Sequence, residues 1–276
     1  MLHILKRGES ESMKTINIPV DGISDADLQF CNAYQSEEGR IVFDAIRSDA
    51  SKVSKSFTEW PWATSLTDFA ASASKKSLWR YSVDITNGSV EKECIVDAPV
   101  YFATVNPKFN SKKHQFVYAA IGAHGHEVAP PQGIAKINVD TKAIQTWFPK
   151  EYEFCGEPMF ASKKSESVDT IEDNGYIISV LFNGKEKLSE IIILDATKVQ
   201  DGPIARIPLG ISIPHGLYGC FADTSECNWS AEEIERRAKL ADKMESRGNM
   251  WNEVKSDFSG LGLRLDDFEE YFGDIL

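Results

Sequence analysis

The chain has 276 residues, of which 42% are hydrophobic, enough for a sizeable buried core. Its 42 acidic residues against 30 lysines and arginines give a formal net charge of -12, which argues against a nucleic-acid partner because it would repel a phosphate backbone. No segment reaches the roughly 20 apolar residues of a membrane-spanning helix, and the first residues lack the pattern of a signal peptide.

Short runs rich in β-branched and aromatic residues follow one another from about residue 14 to residue 221. Examples are GRIVFDAI (39–46), QFVYAAIGA (115–123), GYIISVLFNG (175–184) and SEIIILDA (189–196). Turn signals such as Thr86-Asn87-Gly88 and Asn183-Gly184 separate the runs, and no long helical segment lies between them. The pattern predicts an all-β protein with antiparallel strands.

Several of the predicted strands are apolar on both faces, as residues 177–181 and 191–194 illustrate. Such strands need cover on both sides, and the blades of a β-propeller provide it because each blade packs between two others. We therefore predict a propeller, with a β-sandwich as the alternative. Residues 51–75 lack strand periodicity and are interpreted as a long loop, either a lid or a surface excursion.

The character of the chain changes after Phe221. Residues 230–233 form a capping box that opens a charged helix running to about Arg247. The last residues interleave acidic side chains with Phe268, Tyr271 and Phe272, which either pack on their own domain or dock on a protein partner. We predict two domains, residues 1–222 and a helical C-terminal extension of residues 223–276.

Three polar positions are candidates for chemistry. In His124-Gly125-His126-Glu127 two imidazoles at alternate positions suggest a metal site, but the surrounding glycines and prolines favour a turn. Glu157 lies among apolar neighbours in FCGEPMF, and a carboxylate there needs a hydrogen-bond donor, which indicates a specific role. His114 follows two lysines and is predicted to be solvent-exposed.

The five cysteines are spread along the chain without CxxC spacing: Cys31, Cys94, Cys155, Cys220 and Cys227. An odd, scattered set favours reduced thiols over a disulfide framework. We therefore expect an intracellular protein.

Three segments together carry a family resemblance: residues 28–46 (LQFCNAYQSEEGRIVFDAI), residues 77–109 (SLWRYSVDITNG through VYFATVNPKF) and residues 154–214 (FCGEPMFAS through GISIP). In this order they resemble the carotenoid cleavage oxygenases, over about residues 4–221. The resemblance implies a seven-bladed β-propeller that holds Fe(II) on its axis through four histidines, with glutamates bonded to three of them. It also implies O2-dependent cleavage of a polyene double bond, contact with a membrane surface, and a cytoplasmic or plastid location.

A family member is about twice as long as this chain, so the resemblance implies the C-terminal blades only. An open set of blades leaves its terminal faces uncovered. We therefore expect either an incomplete gene model or a chain that needs a partner.

The family's iron-binding residues are mostly replaced. In the strand that resembles "F-H-x-x-N-A-Y-E", Gln29 stands where the family has its third histidine ligand, and Gln35 replaces the glutamate. Tyr101 stands where a glutamate bonded to a ligand belongs, whereas Glu157 in "G-E-P-x-F" is retained. Neutral imidazoles suit ferrous iron, and amide or phenol groups are poor substitutes.

The fourth ligand position lies in ISIPHGLYGCF, residues 211–221. Counting from Pro214 against the family's "P-x-G-F-H-G-x-W" reaches Tyr218, while a shift of three residues would make His215 the metal ligand. An odd shift reverses the face of a strand, so the two side chains would not both face the axis. We favour a turn role for His215. The alternative is that His215 is the metal ligand.

Two functions follow. By resemblance, the chain is part of a carotenoid or apocarotenoid cleavage oxygenase with an Fe(II) cofactor, although this chain alone is predicted not to be catalytically competent. The alternative is a non-catalytic relative that binds a carotenoid, a retinoid or a protein partner, with Gln29, Tyr101 and Tyr218 filling a metal-free axis.

Overall fold

A computed structural model of the chain describes residues 2–5, 13–16, 28–48, 74–123, 128–163, 171–213, 216, 219–221, 230, 235–236 and 239. The chain divides into two units, Met1–Phe221 and Ala222–Leu276. The described part of the first unit consists of antiparallel β-strands with two short 3-10 helices, Pro107–Phe109 and Val199–Asp201. The prediction of a mostly β protein with antiparallel strands is confirmed.

Fifteen strands lie in the described residues. They are β1 (Leu2–Leu5), β2 (Met13–Ile16), β3 (Gln29–Gln35), β4 (Ile41–Ser48), β5 (Lys76–Val83), β6 (Val90–Val96), β7 (Val100–Thr104), β8 (Phe116–Gly122), β9 (Pro131–Asn138), β10 (Ile144–Trp147), β11 (Glu153–Cys155), β12 (Met159–Ser162), β13 (Gly175–Asn183), β14 (Leu188–Asp195) and β15 (Pro203–Pro208).

The strands form one small and three larger sheets, each in chain order. β1 and β2 form a two-stranded sheet; β3 to β6 form the first sheet; β7 to β10 form the second sheet. In the third sheet β11 and β12 both pair with β13, which is followed by β14 and β15. Strands that follow one another in the chain are mostly neighbours within each sheet, including β4 and β5, which are joined by a long connection.

Local turn chemistry explains the two predicted turns. At the first, the Asp84 carboxylate accepts the Thr86 N–H at 2.7 Å, and Gly88 takes a φ of 78°, a left-handed conformation that glycine adopts without strain. At the second, the Asn183 side chain accepts the N–H groups of Lys185 and Glu186 at 3.0 and 3.1 Å. Both turns are confirmed.

The three larger sheets stack face to face through apolar side chains. Alternate residues of β8 separate to the two faces: Val117 and Ile121 belong to the cluster shared with the first sheet, and Tyr118 belongs to the cluster shared with the third. A further cluster around Phe43 and Tyr81 lies between the first sheet and the β1–β2 pair. The second sheet is therefore covered on both faces, which explains why β8 is apolar throughout.

The sequence predicted that the apolar strands of the third sheet are covered on both faces, and the structure differs. Ile177 and Leu181 of β13 are fully buried against the second sheet, whereas Ile178 and Val180 on the opposite face are only partly buried. The apolar run in β13 therefore has one deeply buried face. Closure of the sheets into a seven-bladed propeller stays a prediction.

Gly133 in β9 allows the hairpin β9–β10 to approach closely, and alanine there should be destabilising. A Cβ atom at this position would lie 2.5 Å from the backbone oxygen of Trp147 and 2.8 Å from a ring carbon of Phe148. We expect Gly133→Ala to lower the free energy of unfolding in urea by about 1–3 kcal/mol, because the backbone has to shift. Gly216→Ala is the control, since a Cβ there would meet nothing within 4 Å. Equal stability of the two variants would contradict this account.

The second unit is described at only a few positions. Glu235 and Lys239 lie in helical conformation and form an ion pair at 2.7 Å, one turn apart. The rest of the predicted helical extension of residues 223–276, including its aromatic positions, lies outside the described residues. Within the described residues, no helix is long and apolar enough to cross a membrane.

Candidate functional site

Gln29 and Tyr101, which the resemblance places at a ligand position and a glutamate position, are neighbours in the structure through the residue that follows Tyr101. Gln29 begins β3, the first strand of the first sheet, and its side-chain oxygen accepts the Phe102 N–H of β7 at 3.2 Å. Phe102 has a φ of 55° and lies where the pairing of β7 with β8 shifts between Tyr101 and Thr104. This irregularity turns a backbone N–H toward the first sheet, and Gln29 satisfies it.

Tyr101 is buried and bonds to the connection before β9. The residue is 5% exposed, and its hydroxyl donates to the backbone oxygen of Ala129 at 2.6 Å. The ammonium group of Lys76 lies 5.7 Å from the centre of its ring. Where the resemblance expects a carboxylate that accepts, this chain therefore has a phenol whose proton bonds to a protein carbonyl.

Glu157 lies in the interruption between β11 and β12, the two strands that form one edge of the third sheet. Its Oε2 accepts the backbone N–H of Gly219 at 2.7 Å. A carboxylate among apolar neighbours needs a donor, and the structure supplies one from a residue 62 positions further along the chain. Glu157 is partly exposed rather than fully buried.

Other predicted site residues lie outside the described residues. These are His215, Tyr218 and the turn His124-Gly125-His126-Glu127, together with most of the predicted loop of residues 51–75. In the part of the chain that the structure describes, no group of three or more histidine, cysteine, aspartate or glutamate side chains could hold a metal ion.

The prediction that His114 is solvent-exposed is wrong. Its side chain is fully buried, with Nε2 2.7 Å from Oδ2 of Asp44 and Nδ1 3.0 Å from the amide nitrogen of Asn32. Arg80 binds both oxygens of Asp44 at 2.8 Å. We call Asn32, Asp44, Arg80 and His114 the buried polar cluster. This cluster links the loop before β8 to the first sheet. The two lysines before His114 therefore do not predict whether its ring is buried or exposed.

Hydrogen bonds around Asn32 fix the tautomer of His114. The Asn32 side-chain oxygen accepts the Ser111 N–H at 3.0 Å, so its NH2 group faces the Phe109 oxygen and Nδ1 of His114. Nδ1 therefore accepts, and Nε2 carries the hydrogen that is donated to Asp44.

The charges in the buried polar cluster compensate each other. Burial alone would raise the pKa of Asp44, but hydrogen bonds from Arg80 and His114 outweigh that effect and hold this pKa below its ordinary value. Asp44 is completely buried and Arg80 is nearly so. The carboxylate thus stays ionised inside the protein because it has a full set of donors.

The described cysteines are free thiols: Cys31, Cys94, Cys155 and Cys220. Burial raises the pKa of the Cys31 and Cys155 thiols, which keeps them protonated at neutral pH. Cys227 lies outside the described residues.

Comparison with known proteins gives a consistent set of relatives. Apocarotenoid-15,15'-oxygenase from Synechocystis is 27% identical over 199 residues, which are 70% of this chain and 38% of that protein. The chloroplastic carotenoid cleavage dioxygenase 7 from Arabidopsis thaliana is 29% identical over 131 residues, 45% of this chain and 21% of that protein. The chain therefore spans less than half the length of these curated relatives.

Solved structures agree with the sequence comparison. A variant of the Synechocystis apocarotenoid oxygenase superposes with a TM-score of 0.67 at 25% identity, covering 77% of this chain and 42% of that one. The family described as retinal pigment epithelial membrane protein matches residues 3–223. Because this match takes in most of the sequence, the chain belongs to the retinal pigment epithelial membrane protein family, that of the carotenoid cleavage oxygenases.

Proposed function

We propose that this protein binds a carotenoid-derived polyene and does not by itself cleave it. The family match and the names of the relatives, which act on carotenoids and apocarotenoids, support the ligand class. The hydrogen bonds of Gln29 and Tyr101 support the absence of cleavage: both side chains occupy positions that the resemblance assigns to the iron site, and both are engaged by the protein backbone.

Ferrous iron is the metal that the resemblance implies, and the described residues do not fit it. The Gln29 oxygen accepts a backbone N–H, and an amide oxygen is a weak ligand for this metal. The Tyr101 phenol keeps its proton in a hydrogen bond to Ala129. Glu157 directs one carboxylate oxygen to a backbone N–H. These three positions therefore offer a ferrous ion no imidazole, and their one carboxylate, that of Glu157, already accepts a hydrogen bond.

A second candidate is an oxygenase that this chain forms together with a further polypeptide segment. It is favoured by the retained Glu157 and by the length comparison, since the chain covers 42% of the solved relative. In that protein the imidazoles would come from residues outside the described part, and bound iron would supply the activation of O2. Cleavage would convert one C=C bond and one O2 into two carbonyl groups.

Metal content and product analysis of the purified chain separate these functions. We expect iron well below one atom per chain after loading with ferrous iron under anaerobic conditions, because amide and phenol groups replace imidazoles. With all-trans-retinal as the polyene probe we expect a bound chromophore, seen by its visible absorption and by quenching of tryptophan fluorescence. An apocarotenal incubated with the chain in air should yield no shorter aldehyde. Stoichiometric iron together with aldehyde products would contradict the proposal and support the oxygenase.

A further inference from the structure

After β15 the described residues contact the third sheet at two places. We call the described parts of this segment, residues 209–213, 216 and 219–221, the strap. Ser189 in β14 holds its first part by four hydrogen bonds: its backbone pairs with Leu209 and Ile211 at 3.0 and 2.9 Å, and its hydroxyl bonds to both the N–H and the oxygen of Ile213 at 2.9 and 3.3 Å. Ser189 is buried, whereas its partners in the strap are partly or largely exposed.

The strap starts at the β15 edge of the third sheet, and its Gly219 contacts Glu157 at the opposite edge, formed by β11 and β12. In the strand register, Pro208 of β15 lies opposite Glu190, the neighbour of Ser189, and Cys155 of β11 lies opposite Leu181. These residues all lie at the same end of the sheet, because Leu181 also pairs with Glu190. Gly219 of the strap is therefore close to the end of β11, where the edge of the third sheet is interrupted before β12 begins.

The interruption between β11 and β12 is itself fixed. The Gly156 N–H donates to the Val180 oxygen at 2.8 Å, and the fully buried Ser179 hydroxyl donates to the Gly156 oxygen at 3.1 Å. β13 therefore holds both the N–H and the carbonyl oxygen of Gly156, the residue before Glu157. Its side chain meets the strap at Gly219.

The contact between Glu157 and Gly219 is short, and it joins a partly exposed carboxylate to an exposed glycine. The N–H to carboxylate distance of 2.7 Å is that of a charge-assisted hydrogen bond. A Cβ atom at residue 219 would lie 3.4 Å from Oε2 of Glu157 and 3.4 Å from the sulfur of Met159. At Gly216 in the same segment, a Cβ would meet nothing within 4 Å.

We propose that Glu157 is a positioning residue that anchors the backbone of the strap at Gly219. In this chain its carboxylate accepts from a main-chain amide, whereas the resemblance implies an imidazole partner. Ser189 and Glu157 thus hold residues 209–213 and Gly219 of the strap, respectively. The anchor itself is independent of the proposed function, and its effect on polyene affinity rests on that function.

Amide hydrogen exchange at Gly219, measured by NMR on the whole chain, tests the anchor. We expect Glu157→Ala to speed exchange of this amide about ten- to a hundredfold, the usual effect of losing a hydrogen bond to a charged group. Glu157→Gln should restore slow exchange, because its amide oxygen can accept the same N–H. The exchange of Val180, in the sheet core, should stay unchanged in both variants. Equal exchange rates at Gly219 in the alanine variant and the wild type, or no rescue by glutamine, would overturn the anchor.

Titration with all-trans-retinal tests the consequence for ligand binding. We expect Glu157→Ala to weaken retinal binding about tenfold and Gly216→Ala to leave it unchanged, since only the first variant removes the contact. A wild type that binds no retinal would contradict the proposed function, and the exchange of Gly219 would still decide on the anchor. Unchanged retinal affinity in Glu157→Ala, with a wild type that binds, would overturn the link between anchor and ligand.

Discussion

Replacement of Asp44 by alanine is expected to lower the free energy of unfolding by about 3–5 kcal/mol, because it leaves the Arg80 guanidinium largely buried with only the half-exposed Asp140 carboxylate, 3.8 Å away, as a counter-charge. The Asp44 carboxylate is completely buried and accepts two hydrogen bonds from Arg80 and one from His114, each 2.7–2.8 Å long. Urea unfolding at neutral pH, followed by circular dichroism, measures the loss.

Glu91→Ala provides the matched control. Glu91 pairs with Arg40 at 3.1 Å, but its side chain is 75% exposed. The loss there should stay within about 1 kcal/mol, because water already screens an exposed pair. If both variants lost the same stability, burial of the Asp44–Arg80 pair would not be the cause.

The effect of Asp44→Ala should also depend on pH. Since the folded-state pKa of Asp44 is depressed, its contribution is fully present above the ordinary value of about 3.9 and is lost as the pH falls through the folded pKa. The difference in stability between wild type and variant should therefore shrink between about pH 5 and about pH 2. A difference that stays constant over this range would mean that the ionised carboxylate is not what stabilises the cluster.

Tyr118→Ala is expected to cost about 3–5 kcal/mol, the range for deleting a buried aromatic ring. Tyr118 is completely buried between the second and third sheets, and its ring centre lies 5.4 Å from that of Phe160. The variant would leave a cavity in the interface that joins these sheets. Thermal and urea unfolding measure the loss, together with the single transition expected for sheets that unfold together.

Tyr118→Phe separates the ring from the hydroxyl group. The hydroxyl donates to the Ala196 oxygen at a long 3.4 Å, so its removal should cost at most about 1.5 kcal/mol. Similar losses in the alanine and phenylalanine variants would place the stabilisation in the hydroxyl group and contradict the packing argument.

The position of a residue within a sheet decides how well its strand is predicted. The sequence predicts β8, β13 and β14 as strands, because they are rich in the β-branched and aromatic residues that the packed layers require. β6, by contrast, is an edge strand whose residues 91–93 are the exposed sequence Glu-Lys-Glu. Charges protect such an edge from pairing with other chains, and they also hide the strand pattern. The pattern alone therefore does not predict β6, and β11 is too short for any periodicity.

The family was predictable because its motifs are contiguous, as in residues 154–214, and the matched family spans residues 3–223. The side-chain partners were not. His114 looked exposed beside its lysines, yet its partners Asn32 and Asp44 are 82 and 70 residues away in the chain. Likewise, the need of Glu157 for a donor could be inferred from its neighbours, but the identity of that donor could not.

By itself, the sequence determined the antiparallel β class, the turns at residues 84–89 and 183–187, and the family. Each of these depends on neighbours in the chain, through side-chain alternation, turn residues or contiguous motifs. Only the tertiary structure decided that Gln29 bonds to Phe102, that Glu157 holds Gly219 and that His114 lies in the buried polar cluster. These contacts join strands and loops far apart in the chain, so they arise only when the sheets stack and bring unsatisfied backbone and side-chain groups within hydrogen-bonding distance.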